Sequence, residues 1–261
     1  MKETLLILAA DHRNHLKKEI LHVKNELSEK QLEKLKDFKS IIFEAFKLSL
    51  ENGAKKDECG FLMDEDYGDK SLKLAKESGI IIILPVEKSG MKTFEFEYGK
   101  NFIQHIEKYN PEYVKVLIHY NHDNIEGNEK TLKNLRILNN YLVNTNHKFL
   151  LEMLVDPTQE QLKKYGKSNF DTKVRPVLTA MSIHEINRAG VNPYIWKLEG
   201  YDRKEDIDKI SNAVNGDSKI VILGRSESMD KVLKWIQIGK QNDKVIGFAV
   251  GRTIFMKPLV D

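Results

Sequence analysis

Ile80-Ile81-Ile82-Ile83-Leu84-Pro85-Val86 is a stretch made almost wholly of isoleucine and leucine. A short apolar run without polar alternation suits a parallel strand covered on both faces. The segments on either side repeat the pattern. Before it, residues 4–10 form a continuous apolar run, and residues 31–52 carry Leu, Phe and Ile at helical spacing up to Gly53. Residues 59–63 predict a second strand, closing on Asp64-Glu65-Asp66, and residues 71–78 a helix stopped by Gly79. After it, strands are predicted at 113–119, 148–155, 194–198, 219–223 and 245–250. Helices fall between them at 102–109, 129–144, within 172–189, at 204–214 and at 227–238. Strand and helix thus alternate eight times with no linker or low-complexity tract, which implies parallel βαβ units.

Eight such units in 261 residues is the size of an α/β protein built as a single (β/α)8 TIM barrel, one domain over 1–261. A doubly wound open sheet is the alternative. It is disfavoured because no G-x-G-x-x-G turn follows the first strand. Residues 16–30 and 166–172 are long for simple connections, and are expected to lie as extra helix or loop over one barrel mouth.

Lys and Arg number 42 against 39 Asp and Glu, a net +3 spread along the chain, which argues against a nucleic-acid surface. Cys59 is the lone cysteine, cannot form an internal disulfide, and fits a reducing cytoplasm; as a residue it reads as a small apolar core side chain. The apolar run at 5–10 is too short for a membrane span and lacks a cleavage site, so the expectation is a cytoplasmic protein with neither membrane nor nucleic-acid partner. The Lys/Glu-rich stretch 17–39 reads as a solvated helix face.

In a TIM barrel the chemistry lies at the C-terminal ends of the strands. Polar residues at those ends are therefore the candidates. Strand one ends in Asp11-His12-Arg13; strand four carries Lys115, strand five Glu152, and strand six Lys197 and Glu199. A buried lysine is either paired or partly neutral, and a neutral amine is what a Schiff base with a ketone requires. Lys197 and Glu199 share a strand face, so a structural Lys–Glu pair stands beside the nucleophile as a reading. Three adjacent strands, each with an ionisable group in an apolar run, are hard to explain as packing and are expected to share one polar pocket. Glu152 is then placed to move protons, with Asp11 able to share the task. Gly224-Arg225 and Gly251-Arg252 follow strands seven and eight, where TIM barrels often bind phosphate. Arg13 and Glu199 are further candidates for substrate contact. His119, His122 and Asp123 match no wider ligand set, and no metal is expected. His12 is left open between an acid–base and a hydrogen-bonding role. Trp196 and Trp235 read as packing.

Several segments carry a family resemblance: Ala9-Ala10-Asp11-His12-Arg13, Leu151-Glu152-Met153-Leu154-Val155, Val174-Arg175-Pro176, Ile195-Trp196-Lys197-Leu198-Glu199-Gly200, Ile222-Leu223-Gly224-Arg225 and Gly247-Phe248-Ala249-Val250-Gly251-Arg252-Thr253-Ile254-Phe255. Together they resemble the DUF2090 family, a domain often fused to the sugar kinase of bacterial myo-inositol breakdown. More distantly the chain is similar to class I tagatose-bisphosphate and sulfofructose-phosphate aldolases. It departs from the fused form in Ala10, where Phe is common, and these 261 residues hold no kinase segment. The resemblance implies a Schiff base on Lys197, Glu152 as acid/base, Lys115 as the strand-four lysine, Asp11 as the strand-one carboxylate, and Gly224, Arg225, Gly251 and Arg252 as the phosphate grip. It implies a lyase without cofactor that cleaves a phosphorylated keto-sugar or keto-sugar acid, such as 2-deoxy-5-keto-gluconate 6-phosphate, and releases dihydroxyacetone phosphate. Related aldolases are often homo-oligomers. Transaldolase-type transfer of the three-carbon unit and non-catalytic sugar-phosphate binding remain as alternatives.

Overall fold

The computed structural model describes residues 3–23 and 26–260. Among them, eight parallel strands close into a barrel in chain order. They are β1 (Leu5–Ala9), β2 (Cys59–Leu62), β3 (Ile81–Pro85), β4 (Tyr113–His119), β5 (Lys148–Leu154), β6 (Ile195–Glu199), β7 (Lys219–Leu223) and β8 (Val245–Val250). The helices form the outer ring: α1 (Asn14–Ile20), α2 (Glu29–Glu51), α3 (Glu65–Glu77), α4 (Phe102–Tyr109), α5 (Ile125–Leu142), α6 (Gln159–Asn169), α7 (Arg175–Arg188), α8 (Lys204–Ala213), α9 (Met229–Gly239) and α10 (Arg252–Val260). The protein is a TIM barrel, as its alternating pattern predicts. None of the described helices is long and apolar enough to cross a membrane.

Departures from the predicted elements have local causes. Helix α3 starts at Glu65 rather than at 71, because Asp64 Oδ1 caps it by accepting from the Tyr67 amide at 3.0 Å. Asp64-Glu65-Asp66 is therefore a helix start, with Glu65 and Asp66 in the first turn where carboxylates complement the helix dipole. Apolar periodicity could not show this, since that turn is polar. Helix α6 was hidden for the same reason. Thr158 and Gln161 form a capping box, but the helix buries only Gln161. A π-helical turn, Phe170–Val174, then joins it to α7. Residues 16–30 hold the end of α1 and the start of α2, with Lys24 and Asn25 outside the described residues.

The N-terminal half of the barrel interior is filled by Leu5, Ile7, Leu62, Ile83, Tyr113, Leu150, Ile195 and Val221. This apolar plug leaves only the C-terminal end open for polar chemistry. Between strands and helices lie two larger apolar clusters, one of them built around Trp196 and including Trp235. Closure of β8 on β1 depends on a missing side chain. Gly247 pairs with Leu5, and a Cβ at Gly247 would lie 1.8 Å from the Leu5 carbonyl oxygen. That obstacle is backbone and cannot rotate away. Gly247→Ala is expected to cost roughly 3 kcal/mol or more, read as a lowered denaturant midpoint; an unchanged midpoint would show that the seam tolerates a methyl group.

Candidate active site

A cavity of about 460 Å³ opens at the C-terminal ends of the strands. Asp11, Lys115, Glu152 and Lys197 all line it, with Glu87 beside them. The strand register explains the meeting. Glu152 on β5 lies opposite Lys197 on β6, and both belong to the inward-facing set of their strands. Glu152 Oε2 sits 2.8 Å from Lys197 Nζ and 3.0 Å from Lys115 Nζ, so one oxygen serves both lysines. Lys115 Nζ also donates to Asp11 Oδ2 and to Glu87 Oε1, each at 2.7 Å. All five side chains are buried or nearly so.

The electrostatics follow from this crowding. Burial disfavours the Lys115 ammonium, but Asp11, Glu152 and Glu87 outweigh it and hold the lysine charged well above its usual range. Burial would raise Asp11 and Glu152, yet the attraction of Lys115 and Lys197 pulls both below the usual carboxylate range. For Glu87 burial wins over Lys115 and Arg13, and its carboxyl is pushed up. The three carboxylates around one ammonium are thus driven apart in acidity. His12 is lowered to about 3, chiefly by burial, against the attraction of Asp11.

Sequence reasoning missed Glu87. It follows β3 by two residues, where the rule of polar groups at strand ends would have found it. Lys39 was also missed, and the solvated face read for 17–39 is corrected at this position. Lys39 is fully buried. Its Nζ reaches from α2 to Asp64 Oδ2 at 2.5 Å, donates to the His12 carbonyl at 3.0 Å and makes a short contact to the Ala10 carbonyl. It therefore ties down the backbone on both sides of Asp11.

Glu199 does not sit beside the Lys197 amine. Two residues along a strand advance it by about 6.6 Å, so a shared face is not a shared layer, and Glu152 from the neighbouring strand takes that place. Glu199 is not among the cavity-lining residues; its carboxylate meets Arg225 Nη1 at 2.7 Å and Arg175 Nη1 at 3.3 Å. Arg13 lines the cavity, but its guanidinium is engaged by Glu97 at 2.8 Å, Asp66 at 3.4 Å and the Glu87 carbonyl at 2.6 Å. It fixes the Glu87 segment.

Gly224, Arg225, Gly251 and Arg252 line one side of the cavity together with Ser226 and Thr253. A Cβ at Gly251 would lie 2.0 Å from the Ala9 carbonyl oxygen, so only glycine lets this loop approach β1. Arg252 opens α10, two residues after β8 ends at Val250. Arg225 and Ser226 both have left-handed φ, +49° and +57°, an uncommon conformation for side chains of this size. His12 Nδ1, Glu87 Oε2 and Arg252 Nε are buried here without a hydrogen-bond partner. Such orphaned polar atoms around a cavity are what a polar ligand would satisfy. His119 and His122 pair with Asp156 at 2.5 Å and Glu185 at 2.9 Å.

A closed parallel barrel with ionisable groups gathered at its C-terminal mouth is the layout on which TIM-barrel active sites are built. The chain belongs to the family described as an uncharacterized protein conserved in bacteria (DUF2090), whose model matches residues 1–260. Comparison with curated proteins gave no match. Among solved structures, Cgl0159 from Corynebacterium glutamicum (Brevibacterium flavum) is similar with a TM-score of 0.63 and 17% identity, over 98% of this chain and 80% of that one. A Schiff-base-forming fructose-1,6-bisphosphate aldolase is similar with a TM-score of 0.57 and 11% identity, over 97% of this chain and 88% of that one. At these identities the likeness is one of fold.

Removing Lys39 would strand Asp64 as a buried charge. Lys39→Met is expected to lose about 3–5 kcal/mol in denaturant unfolding, and adding Asp64→Asn should restore part of it. Equal losses in the single and double variants would mean that the pair is not what the site rests on. The His12 ring stays neutral far into acid. Between the unfolded value of 6.5 and the folded value of about 3, the unfolded chain binds a proton that the folded chain refuses, so acidification erodes stability across that interval. Its ring-proton resonance is expected to hold still between pH 8 and about 5; a midpoint near 6.5 in the folded protein would contradict the burial assigned to it.

Proposed function

We propose that the protein is a class I aldolase, a lyase that cleaves a phosphorylated keto-sugar or keto-sugar acid through a Schiff base on Lys197. The observation that carries this reading is the 2.8 Å contact between Lys197 Nζ and Glu152 Oε2 inside the cavity. It gives a proton on the amine an acceptor and leaves the nitrogen facing a space that admits a sugar phosphate. The neutral amine attacks the substrate ketone to form a carbinolamine. Glu152 returns a proton to the departing hydroxyl, and water leaves as the iminium forms. The iminium then accepts the electron pair of the breaking carbon–carbon bond, while a carboxylate takes the proton of the adjacent hydroxyl. The aldehyde half departs. The enamine is protonated on carbon and hydrolysed, freeing the ketone half, dihydroxyacetone phosphate, and the amine. Asp11, an ionised carboxylate that lines the same cavity, is the candidate to take the hydroxyl proton; Lys115, held charged, fixes Asp11 and Glu152 in place. Gly224, Arg225, Gly251 and Arg252 grip the phosphate, with amides and arginine forks suited to an oxyanion.

Borohydride reduction of the protein with dihydroxyacetone phosphate, followed by peptide mapping, is expected to give a stable adduct on Lys197. An adduct on Lys115 would move the nucleophile to the neighbouring strand. No adduct with this ketone or with 2-deoxy-5-keto-gluconate 6-phosphate would leave a sugar-phosphate-binding barrel without Schiff-base chemistry. Glu152→Gln is expected to lower turnover by roughly 10²–10⁴-fold.

A further inference from the structure

A second cavity, of about 560 Å³, lies beside the first at the same barrel end. Its walls come from the π-helical turn after α6, the loop after β6, and the start of α9. Arg225 is shared with the main cavity; the remaining lining residues differ.

The charge here is unevenly matched. Asp206 is held by Arg203 through two hydrogen bonds of 2.8 and 2.9 Å, and Glu227 pairs with Lys231 at 3.3 Å. Asp202 accepts from Trp235 Nε1 and pairs with Lys234, which stands outside the cavity. Lys167 and Lys173 have no carboxylate within ion-pairing distance among the described residues. At the cavity wall lies Arg175, only 4% exposed and stacked over the Tyr201 ring at 4.9 Å. Asp171 and Glu199 approach its Nε and Nη1 at 3.3 Å, but neither nitrogen makes a hydrogen bond. Arg175 is thus ion-paired with two carboxylates that leave its Nε and Nη1 without hydrogen bonds, and Lys167 and Lys173 add unmatched positive charge at the cavity, a combination suited to acceptor oxygens.

We propose that this second cavity binds a small oxyanion, of the class of a phosphate or phosphate monoester, with Arg175 as its central donor and Lys167 and Lys173 as its outer charge. The site goes beyond the aldolase reading and does not depend on it. Arg225 joins the two cavities. Its Nη1 is held at 2.7 Å by Glu199, the same carboxylate that faces Arg175.

Calorimetric titration of the intact protein with inorganic phosphate tests the assignment. Two saturable binding events are expected, one per cavity. Lys167→Ala combined with Lys173→Ala is expected to weaken one event about tenfold, equivalent to ~1.4 kcal/mol, and to spare the other. Arg175→Gln should remove the same event, and Arg252→Ala should remove only the other. Arg225→Gln should weaken both. The lysine pair is exposed, so it keeps the test open if Arg175→Gln does not fold. A single event removed by Arg252→Ala, or a second event indifferent to the lysine pair, would overturn the proposal. Failure to trap an adduct on Lys197 would leave both binding events untouched, so the two readings can fail separately.

Discussion

The Lys115 ammonium sits at the centre of the barrel mouth with carboxylates from three directions, Asp11 after β1, Glu87 after β3 and Glu152 on β5. Carrying a lysine and three acids out of water would be ruinous if any of them lacked partners, because unpaired buried charge costs several kcal/mol per ion. Each therefore constrains the others. Asp11 needs its loop held, and Lys39 does this from outside the barrel by gripping the carbonyls of Ala10 and His12. Glu87 needs its segment held, and Arg13 does this through the Glu87 carbonyl and Glu97. The two supports share a neighbourhood, since Asp64 caps α3 through Oδ1 and receives Lys39 through Oδ2. A helix cap and the orientation of a central carboxylate are thus consequences of one buried side chain.

The apolar half of the barrel serves the same end. Packing below the cluster by Leu5, Ile7, Tyr113, Leu150 and Ile195 denies water a route from the N-terminal side. Charges above it interact through a poorly screening interior, which strengthens the attraction of Lys115 for its acids and sharpens the differences among them. Glu87 rises because burial and the repulsion of Asp11 outweigh Lys115 and Arg13, while Asp11 and Glu152 fall because Lys115 and Lys197 together outweigh their burial. The difference is one of position around a fixed ammonium.

The barrel was legible in the sequence because parallel strands buried on both faces leave largely apolar runs, and seven of the eight here end at a charged residue or a glycine, with β4 ending at His119. The cluster of Asp11, Lys115, Glu152 and Lys197 was legible for the same reason, since ionisable residues inside such runs stand out. What escaped lies where the local pattern carries no such contrast. Lys39 belongs to a helix rich in lysine and glutamate, and its burial follows only from where α2 crosses the end of β1. Helix α6 packs little apolar surface, so periodicity had nothing to register. Glu199 was drawn to Lys197 by strand alternation, which fixes the face a side chain occupies but not its height along the barrel. Height is set by register with the next strand, and β5 brings Glu152 opposite Lys197.

Two lysines in one pocket have different surroundings, and the difference bears on which of them can react. Lys115 donates to two carboxylates and pairs with a third, so deprotonating it would leave three buried acids facing a neutral amine. That nitrogen is a fixed charge. Lys197 meets a single carboxylate, and that carboxylate is already compensated by Lys115. Lys197 is therefore not locked among acids as Lys115 is, and its one carboxylate partner is shared. Exchanging the two residues' environments would move the three-carboxylate lock from β4 to β6. The division follows from the carboxylates within reach among the described residues, three around Lys115 on β4 against one beside Lys197 on β6.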